Sequence, residues 1–247
     1  MKQTRLIMGM PITVEIAGRS GSADIEEVFN YFVAVDEKFS TYKPASEISK
    51  INRGLPKNKW SKEMKQVLEL CEQTKQLTNG YFNINHNGKI DPSGLVKGWS
   101  VNNAAQLLLG EGLADFYIEA GGDIQVYGLN AERAPWAIGI RNPFNLGEII
   151  KVINLNGQGI ATSGSYIRGQ HIYNPYNPTS QLGEVKSLSV IGSNVYEADR
   201  FATAAFAMGK SGIAFIEAQA GLEGYMVDNH KTATSTSGFN RYVAGDV

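Results

Sequence analysis

The chain has 247 residues, of which 43% are hydrophobic and 19% charged, and its formal net charge is −1. This composition is typical of a globular protein with a sizeable core, and the charge excludes a strong attraction to nucleic acid or to an anionic membrane. One cysteine, Cys71, excludes an internal disulfide and, with three histidines, a Cys/His zinc cluster.

The N-terminal residues 1–13 contain no long apolar stretch and no cleavage site of small residues, so we expect no signal peptide. The sequence contains no run of about 18 apolar residues, so it predicts no membrane span. We therefore expect a cytoplasmic protein if Met1 is the native start, and an extracytoplasmic one if an export signal has been removed.

The first half of the chain is predicted to be mainly helical, from apolar periodicity and turn residues. The predicted elements are a strand over residues 10–17, a helix capped by Asp24, an irregular stretch over 40–52, a helix from Ser61 to about Leu77, a turn at 78–80, a loop over 83–93 and a helix from about Lys97 to Leu109.

The second half is predicted to be richer in strands. Its predicted elements are strands over 116–119, 124–127, 136–141, 149–155, 185–191, 225–227 and 232–237, a helix around Asp199 that stops near Gly209, and a helix over 213–220. Helices and strands are mixed without regular alternation, which favours an α+β fold over a doubly wound sheet. With no repeat or linker, we expect a single compact domain over residues 1–247, of one or two lobes.

Asp199 and Thr203 stand four residues apart in an Ala- and Phe-rich helical segment. This spacing puts a carboxylate and a hydroxyl on one face, one turn apart, where they could hold a hard cation such as Mg²⁺. The alternative is a surface Asp and a Thr that bonds back into its own helix.

Two glycine-bearing segments could approach a ligand closely. In residues 91–98, small residues at a predicted helix start, followed by Lys97, would suit a phosphate, although the spacing is not that of a P-loop. The alternative is an ordinary helix entry with a surface lysine. Residues 120–123, A-G-G-D, are either a tight turn or a point of close backbone approach.

A predicted loop over residues 161–166 carries several hydroxyls ahead of His171. His171 has the near-neutral pKa of a general base, but a hydrogen-bonded structural histidine is the alternative. Aromatic and apolar groups at residues 8–11, 39–42 and 81–82 fit either core packing or contacts to a flat ring such as isoalloxazine or adenine.

Seven of these segments, in order, resemble motifs of the ApbE family, the FAD:protein FMN transferases. The matching segments are residues 8–11 (M-G-M-P), 39–52 (F-S-T-Y-K-P-A-S-E-I-S-K-I-N), 78–83 (T-N-G-Y-F-N), 91–98 (D-P-S-G-L-V-K-G), 120–123 (A-G-G-D), 161–164 (A-T-S-G) and 197–203 (E-A-D-R-F-A-T). The resemblance implies an α+β fold with a mixed or antiparallel sheet and flanking helices.

The resemblance also implies a reaction: Mg²⁺-dependent transfer of the FMN half of FAD to a Thr or Ser hydroxyl of a target flavoprotein, with release of AMP. It implies that Asp199, Thr203 and a backbone carbonyl near Gly94 hold Mg²⁺, and that His171 and Asp199 are catalytic, with His171 as the base. The residues implied to bind FAD are Met8, Tyr42, Tyr81, Phe82, Asn83, Asp91, Lys97 and Ile172. The implied partner carries a short acceptor sequence of the type D-G-x-[ST]-G-A-T.

Three motifs depart from the family pattern. Asn83 replaces an aspartate in the first, and Ser93 replaces the first glycine of a Gly-Gly pair in the second. In the segment after His171, Asn174 replaces an aspartate and Asn177 and Pro178 replace a Thr-Gly step. An asparagine near His171 cannot raise the basicity of the imidazole as a carboxylate would. Two alternatives therefore stay open: an FAD pyrophosphatase that yields FMN and AMP, and an FAD-binding protein without turnover.

Overall fold

An eight-stranded antiparallel sheet forms the centre of the computed structural model, which describes residues 1–18, 22–86, 88–164, 172–177 and 182–245. The strands are β1 (Lys2–Ile7), β2 (Met10–Ile16), β3 (Asn85–His86), β4 (Lys89–Ile90), β5 (Phe116–Ala120), β6 (Asp123–Tyr127), β7 (Trp136–Asn142), β8 (Asn145–Leu155), β9 (Gly159–Gly164), β10 (Val185–Gly192), β11 (Glu223–Asp228) and β12 (Ala233–Ser235). The large sheet has the order β1-β2-β5-β6-β9-β10-β11-β12, while β3-β4 and β7-β8 form separate pairs.

Six helices accompany these strands in the described part of the chain. They are α1 (Ser22–Phe39), α2 (Glu47–Ile51), α3 (Lys62–Leu77), α4 (Ser93–Gly110), α5 (Val195–Ala207) and α6 (Gly212–Glu217), with short 3₁₀ turns at Lys57–Lys59, Gly209–Ser211 and Phe239–Tyr242. This arrangement confirms the predicted α+β class with an antiparallel sheet and flanking helices. No helix in the described ranges is long and apolar enough to cross a membrane.

The two faces of the large sheet are buried by different elements. Apolar residues of β2 and β5 pack with α1 and α4, and those of β9 and β10 pack with α5 and α6. On the other face, Ile124 and Val126 of β6 pack against the hairpin of β7 and β8. Side chains alternate along a strand, so the intervening Asp123 and Gln125 face the helices.

Helix α5 is fixed at its start by two side-chain hydrogen bonds and ends at the predicted glycine. The Asn194 side chain caps it by accepting the amide of Glu197 at 3.0 Å, and Gln125 Oε1 accepts the amide of Val195 at 2.8 Å. Gly209 has a φ of +65°, which favours glycine and confirms the predicted stop.

Helix α4 packs closely against α5 at Gly94 and Gly98, two of its three glycines. A Cβ at Gly98 would lie 2.6 Å from Asp199 Cβ and 2.8 Å from the Val195 carbonyl oxygen. One turn earlier, a Cβ at Gly94 would lie 3.4 Å from Thr203 Cγ2, which is close to ordinary contact. The two helices therefore approach most tightly beside Asp199.

Several predicted boundaries were wrong. Helix α1 begins at Ser22, so Asp24 lies in its first turn and is not its cap. Helix α4 begins at Ser93, four residues before the prediction, because Asp91 Oδ1 accepts the Ser93 amide at 3.0 Å and satisfies the helix start. The stretch over 40–52, predicted to be irregular, contains α2, which Ser46 caps by accepting the Ser49 amide.

Three other assignments also differ. Residues 161–164, predicted as a loop, are part of strand β9, which pairs with both β6 and β10. Strand β1 was not predicted. It lies at the edge of the sheet, where its residues alternate between exposed and half-buried, so its sequence does not need the apolar alternation that marks a strand. The predicted loop over 83–93 contains the short pair β3-β4 and the first residue of α4.

The close packing of α4 on α5 predicts unequal effects for two alanine substitutions. Gly98→Ala should lower the free energy of unfolding by about 1–3 kcal/mol, because the new methyl group overlaps backbone and Asp199 atoms. Gly94→Ala should change it by no more than about 1 kcal/mol, because alanine favours helix and the contact is tolerable. Denaturant unfolding of both variants checks this, and equal losses would contradict the packing described.

Candidate functional site

A cleft of about 290 Å³ brings most of the predicted site residues together. It lies where the start of α4 meets α5 and the residues that follow α3. The cleft is lined by Tyr81, Phe82, Asn83, Ile84, His86, Asp91, Ser93, Gly94, Lys97, Thr162, Ser163, Ile172, Tyr173, Asp199 and Thr203. The lining therefore includes a mainly aromatic and apolar stretch over residues 81–86, called the aromatic wall below, together with carboxylates, hydroxyls and an ammonium group.

Two predicted site residues, Met8 and Tyr42, are not among those that line the cleft. A third, His171, lies outside the described residues. Met8, in the turn between β1 and β2 with a φ of +55°, packs against core side chains instead. Tyr42 follows the end of α1 and is 95% exposed. The roles assigned to these residues stay predictions.

Asp199 is fixed by the backbone of the neighbouring helix. Asp199 is buried, with 3% of the residue exposed, and its Oδ2 accepts a hydrogen bond from the Gly98 amide at 2.8 Å. Thr203, one turn further along α5, lies beside Gly94 and lines the same cleft. The carboxylate and hydroxyl thus share one helix face, as their spacing predicted.

Lys97 lies between two buried carboxylates. Its Nζ is 2.6 Å from Asp123 Oδ2 and 3.7 Å from Asp199 Oδ1. Burial raises the pKa of Asp123, and the charge of Asp199 raises it further, while Lys97 opposes both effects. The lysine therefore shares its charge between a strand residue and a helix residue.

Asp123 is a site residue that the sequence reasoning did not assign. The segment 120–123 is a two-residue hairpin turn in which Gly121 and Gly122 both have positive φ, so the tight-turn alternative is correct. The turn also starts β6 at Asp123, which is 1% exposed and faces Lys97. A signal was available, because an acidic residue that opens an otherwise buried strand needs a partner.

Asp91 and Asn83 organise the backbone at the cleft. Asp91 Oδ1 accepts the Ser93 amide, so the helix start is not the row of free amides expected for phosphate. Its carboxylate is instead stabilised by the positive end of the α4 dipole. Asn83 Oδ1 accepts the Asn85 amide at 3.0 Å, which is a local turn that an aspartate could make equally well.

The donors at Asp199 fit a hard divalent cation. They are the Asp199 carboxylate and the Thr203 hydroxyl, both of which are oxygens, and Gly94 lines the cleft beside Thr203. Mg²⁺ is typically bound by one or two carboxylates together with substrate phosphate oxygens and water. Within the described ranges, no three His, Cys, Asp or Glu side chains form a group that could hold a metal ion.

The comparisons with known proteins identify the relatives of this chain. Curated proteins named FAD:protein FMN transferase match it, with 32% identity over 139 residues in Vibrio cholerae and 28% over 156 residues in Escherichia coli K12. These alignments cover 52% and 58% of this chain but only 42% and 44% of the relatives, so the chain spans about half the length of the curated relatives it matches.

The solved structure of the ApbE protein from Thermotoga maritima shares this fold. It superposes with a TM-score of 0.88 at 21% identity and covers 99% of each chain. The model of the ApbE family matches residues 8–88 and 85–226, which is most of the sequence. The chain belongs to the ApbE family.

Proposed function

We propose that this protein transfers the FMN half of FAD to a Thr or Ser hydroxyl of a partner flavoprotein, in an Mg²⁺-dependent reaction that releases AMP. The observation that carries the proposal is the cleft, whose lining combines Asp199, Thr203 and Lys97 with the aromatic wall that includes Tyr81 and Phe82. A flat flavin ring suits the wall, and a pyrophosphate suits the charged side. The names of the curated relatives support the same activity.

The reaction balances as a phosphoryl-type transfer. The acceptor oxygen bonds to the phosphorus of the FMN half, the bridging P–O bond breaks, and AMP leaves with the bridging oxygen. The hydroxyl proton passes to a base, for which the family resemblance nominates His171. Such reactions depend mainly on positioning and on neutralising charge.

Each polar residue has a distinct task in this proposal. Asp199, Thr203 and the Gly94 carbonyl would hold Mg²⁺, which offsets charge on the pyrophosphate and on departing AMP. The Gly98 amide orients the Asp199 carboxylate, and Asp123 holds the Lys97 ammonium at the inner end of the cleft. Lys97 would then face the phosphate oxygens with a preorganised charge.

The function is tested by incubating the protein with FAD and Mg²⁺, with and without a peptide bearing the D-G-x-[ST]-G-A-T sequence. Chromatography measures AMP, and mass spectrometry measures the peptide. AMP together with a peptide that gains the mass of FMN is the expected result. AMP with an unchanged peptide would indicate that the protein hydrolyses FAD and does not transfer FMN. Bound FAD without AMP would indicate an FAD-binding protein without turnover.

Removing the Asp199 charge should abolish turnover and spare the fold. Asp199→Asn keeps an oxygen that can accept the Gly98 amide but weakens cation binding. AMP release should therefore fall by about 100-fold or more, because several kcal/mol of charge stabilisation are lost. Asp115→Asn, at a site that accepts the Leu129 amide far from the cleft lining, is the matched control. Normal AMP release by Asp199→Asn would reject the role proposed for this carboxylate.

The buried carboxylates predict that stability depends on pH. A carboxyl group whose pKa is raised by folding favours the folded state at low pH, and this contribution is lost as the pH rises through the folded pKa. For Asp123, the free energy of unfolding should therefore fall as the pH rises from about 4 toward neutrality and beyond. Asp123→Asn should flatten this dependence in metal-free buffer. Parallel pH profiles for the two proteins, measured by denaturant unfolding, would contradict the assignment.

A further inference from the structure

Two tyrosines tie the segment 172–177 to residues 79–86, which include the aromatic wall of the cleft. Tyr173 and Tyr176 lie three residues apart, and each phenol hydroxyl donates to a backbone carbonyl of the other segment. The two segments are about 90 residues apart in sequence. These contacts therefore connect two segments of the chain that both contribute residues to the cleft lining.

The Tyr173 hydroxyl lies 2.9 Å from both the Asn83 and the Asn85 carbonyl oxygens, so it shares one proton between two acceptors. Its ring lies 4.2 Å from the His86 ring, with a tilt of 38°. The Tyr173 phenol is protonated at neutral pH and can donate, and burial, followed by the charge of Asp91, raises its pKa further.

Tyr176 makes the equivalent contact at the other end of the wall. Its hydroxyl donates to the Asn79 carbonyl, and its ring meets the Tyr81 ring edge-on at 5.0 Å. A Cβ at Gly80 would lie 3.0 Å from the Tyr176 oxygen, so the contact depends on a glycine there. The two phenol hydroxyls thus bond to the backbone on both sides of Tyr81 and Phe82, at Asn79 and at Asn83 and Asn85.

A turn sets the spacing of the two tyrosines. Asn174 Oδ1 accepts the Tyr176 amide at 2.9 Å, and the Asn174 carbonyl accepts the Asn177 amide at 3.1 Å, with Pro175 inside the turn. Asparagine followed by proline is favoured at these turn positions. Both rings are thereby presented to residues 79–86 from a short, constrained segment.

The wall itself has little regular structure. Residues 79–84 contain no helix or strand, and Asn79 and Gly80 both have positive φ. Tyr81 and Phe82 nevertheless have to form one side of a pocket for a rigid ring. Preorganising that side before the ligand arrives reduces the ordering cost of binding.

We propose that Tyr173 and Tyr176 are positioning residues that fix residues 79–86, with the aromatic wall, against residues 172–177 and so set the affinity of the cleft for the flavin half of FAD. This inference rests on the proposed function, because it takes FAD as the ligand. It assigns the two phenol hydroxyls no part in the bond-breaking step. Their removal should change binding more than turnover.

The test uses the single-atom variants Tyr173→Phe and Tyr176→Phe, which keep both rings. FAD affinity is measured by flavin fluorescence with Mg²⁺ withheld, and KM and kcat are measured with Mg²⁺. Each variant should raise the Kd and KM for FAD by about fivefold, the effect of one lost hydrogen bond, with kcat unchanged. Tyr127→Phe is the control, because Tyr127 is 41% exposed on β6 and does not line the cleft.

The outcomes separate this inference from the proposed function. If the Phe variants bind FAD as tightly as the wild type, or lose only melting temperature and active fraction, the tyrosines are structural and the positioning role is rejected. If the wild type binds FAD but releases no AMP, the transferase proposal fails while the Kd comparison still decides the role of the tyrosines. If the wild type binds no FAD, both are rejected.

Discussion

The hydrogen bond from the Gly98 amide to Asp199 Oδ2 is the interaction on which the geometry of the site depends. It forms only because α4 has no side chain at this position, where a Cβ would overlap Asp199. The bond fixes a buried carboxylate through a backbone amide, while the Lys97 ammonium lies 3.7 Å from its other oxygen. Helices α4 and α5 can then contribute Gly94 and Thr203 to the same cleft, one turn away from that contact.

Strand β6 provides the second constraint. Its two helix-facing polar side chains each hold a different helix: Asp123 pairs with Lys97 of α4, and Gln125 accepts the first amide of α5. Gly159 of the adjacent strand lets α5 approach, since a Cβ there would lie 2.0 Å from the Val195 nitrogen. The helices are therefore held to each other and to the same strand, and the rigid part of the site is determined by packing.

The sequence predicts the parts of this site that depend on local spacing. Asp199 and Thr203 lie on one face because a helix repeats every 3.6 residues, and Gly121 and Gly122 form a tight turn, which was one of the two alternatives for this segment. The start of α4 was misplaced because an aspartate two residues before the first helical residue satisfies its amide, which apolar periodicity does not reveal. The β9 segment, rich in small and polar residues, gives no strand signal, since its place between β6 and β10 is set by tertiary pairing.

The roles of the aromatic residues were the hardest to predict, because the residue type alone does not indicate whether a ring is exposed to solvent, buried in the core or in contact with a ligand. Tyr42 and Tyr81 were assigned the same task, yet Tyr42 is exposed and only Tyr81 lines the cleft. Tyr173 was not assigned at all, because its role depends on carbonyls about 90 residues earlier. Contacts of this kind follow from the fold and not from neighbouring residues.

The charge balance of the site connects its structure to its proposed chemistry. Asp123 and Asp199 carry two negative charges when ionised, and Lys97 supplies one positive charge between them. Because both carboxylates are buried, a second negative charge that Lys97 does not neutralise is unfavourable. Burial and the charge of Asp199 therefore raise the pKa of Asp123. A divalent cation would remove this cost and leave net positive charge for a pyrophosphate. The same charge imbalance would therefore favour the binding of a metal ion and a diphosphate together.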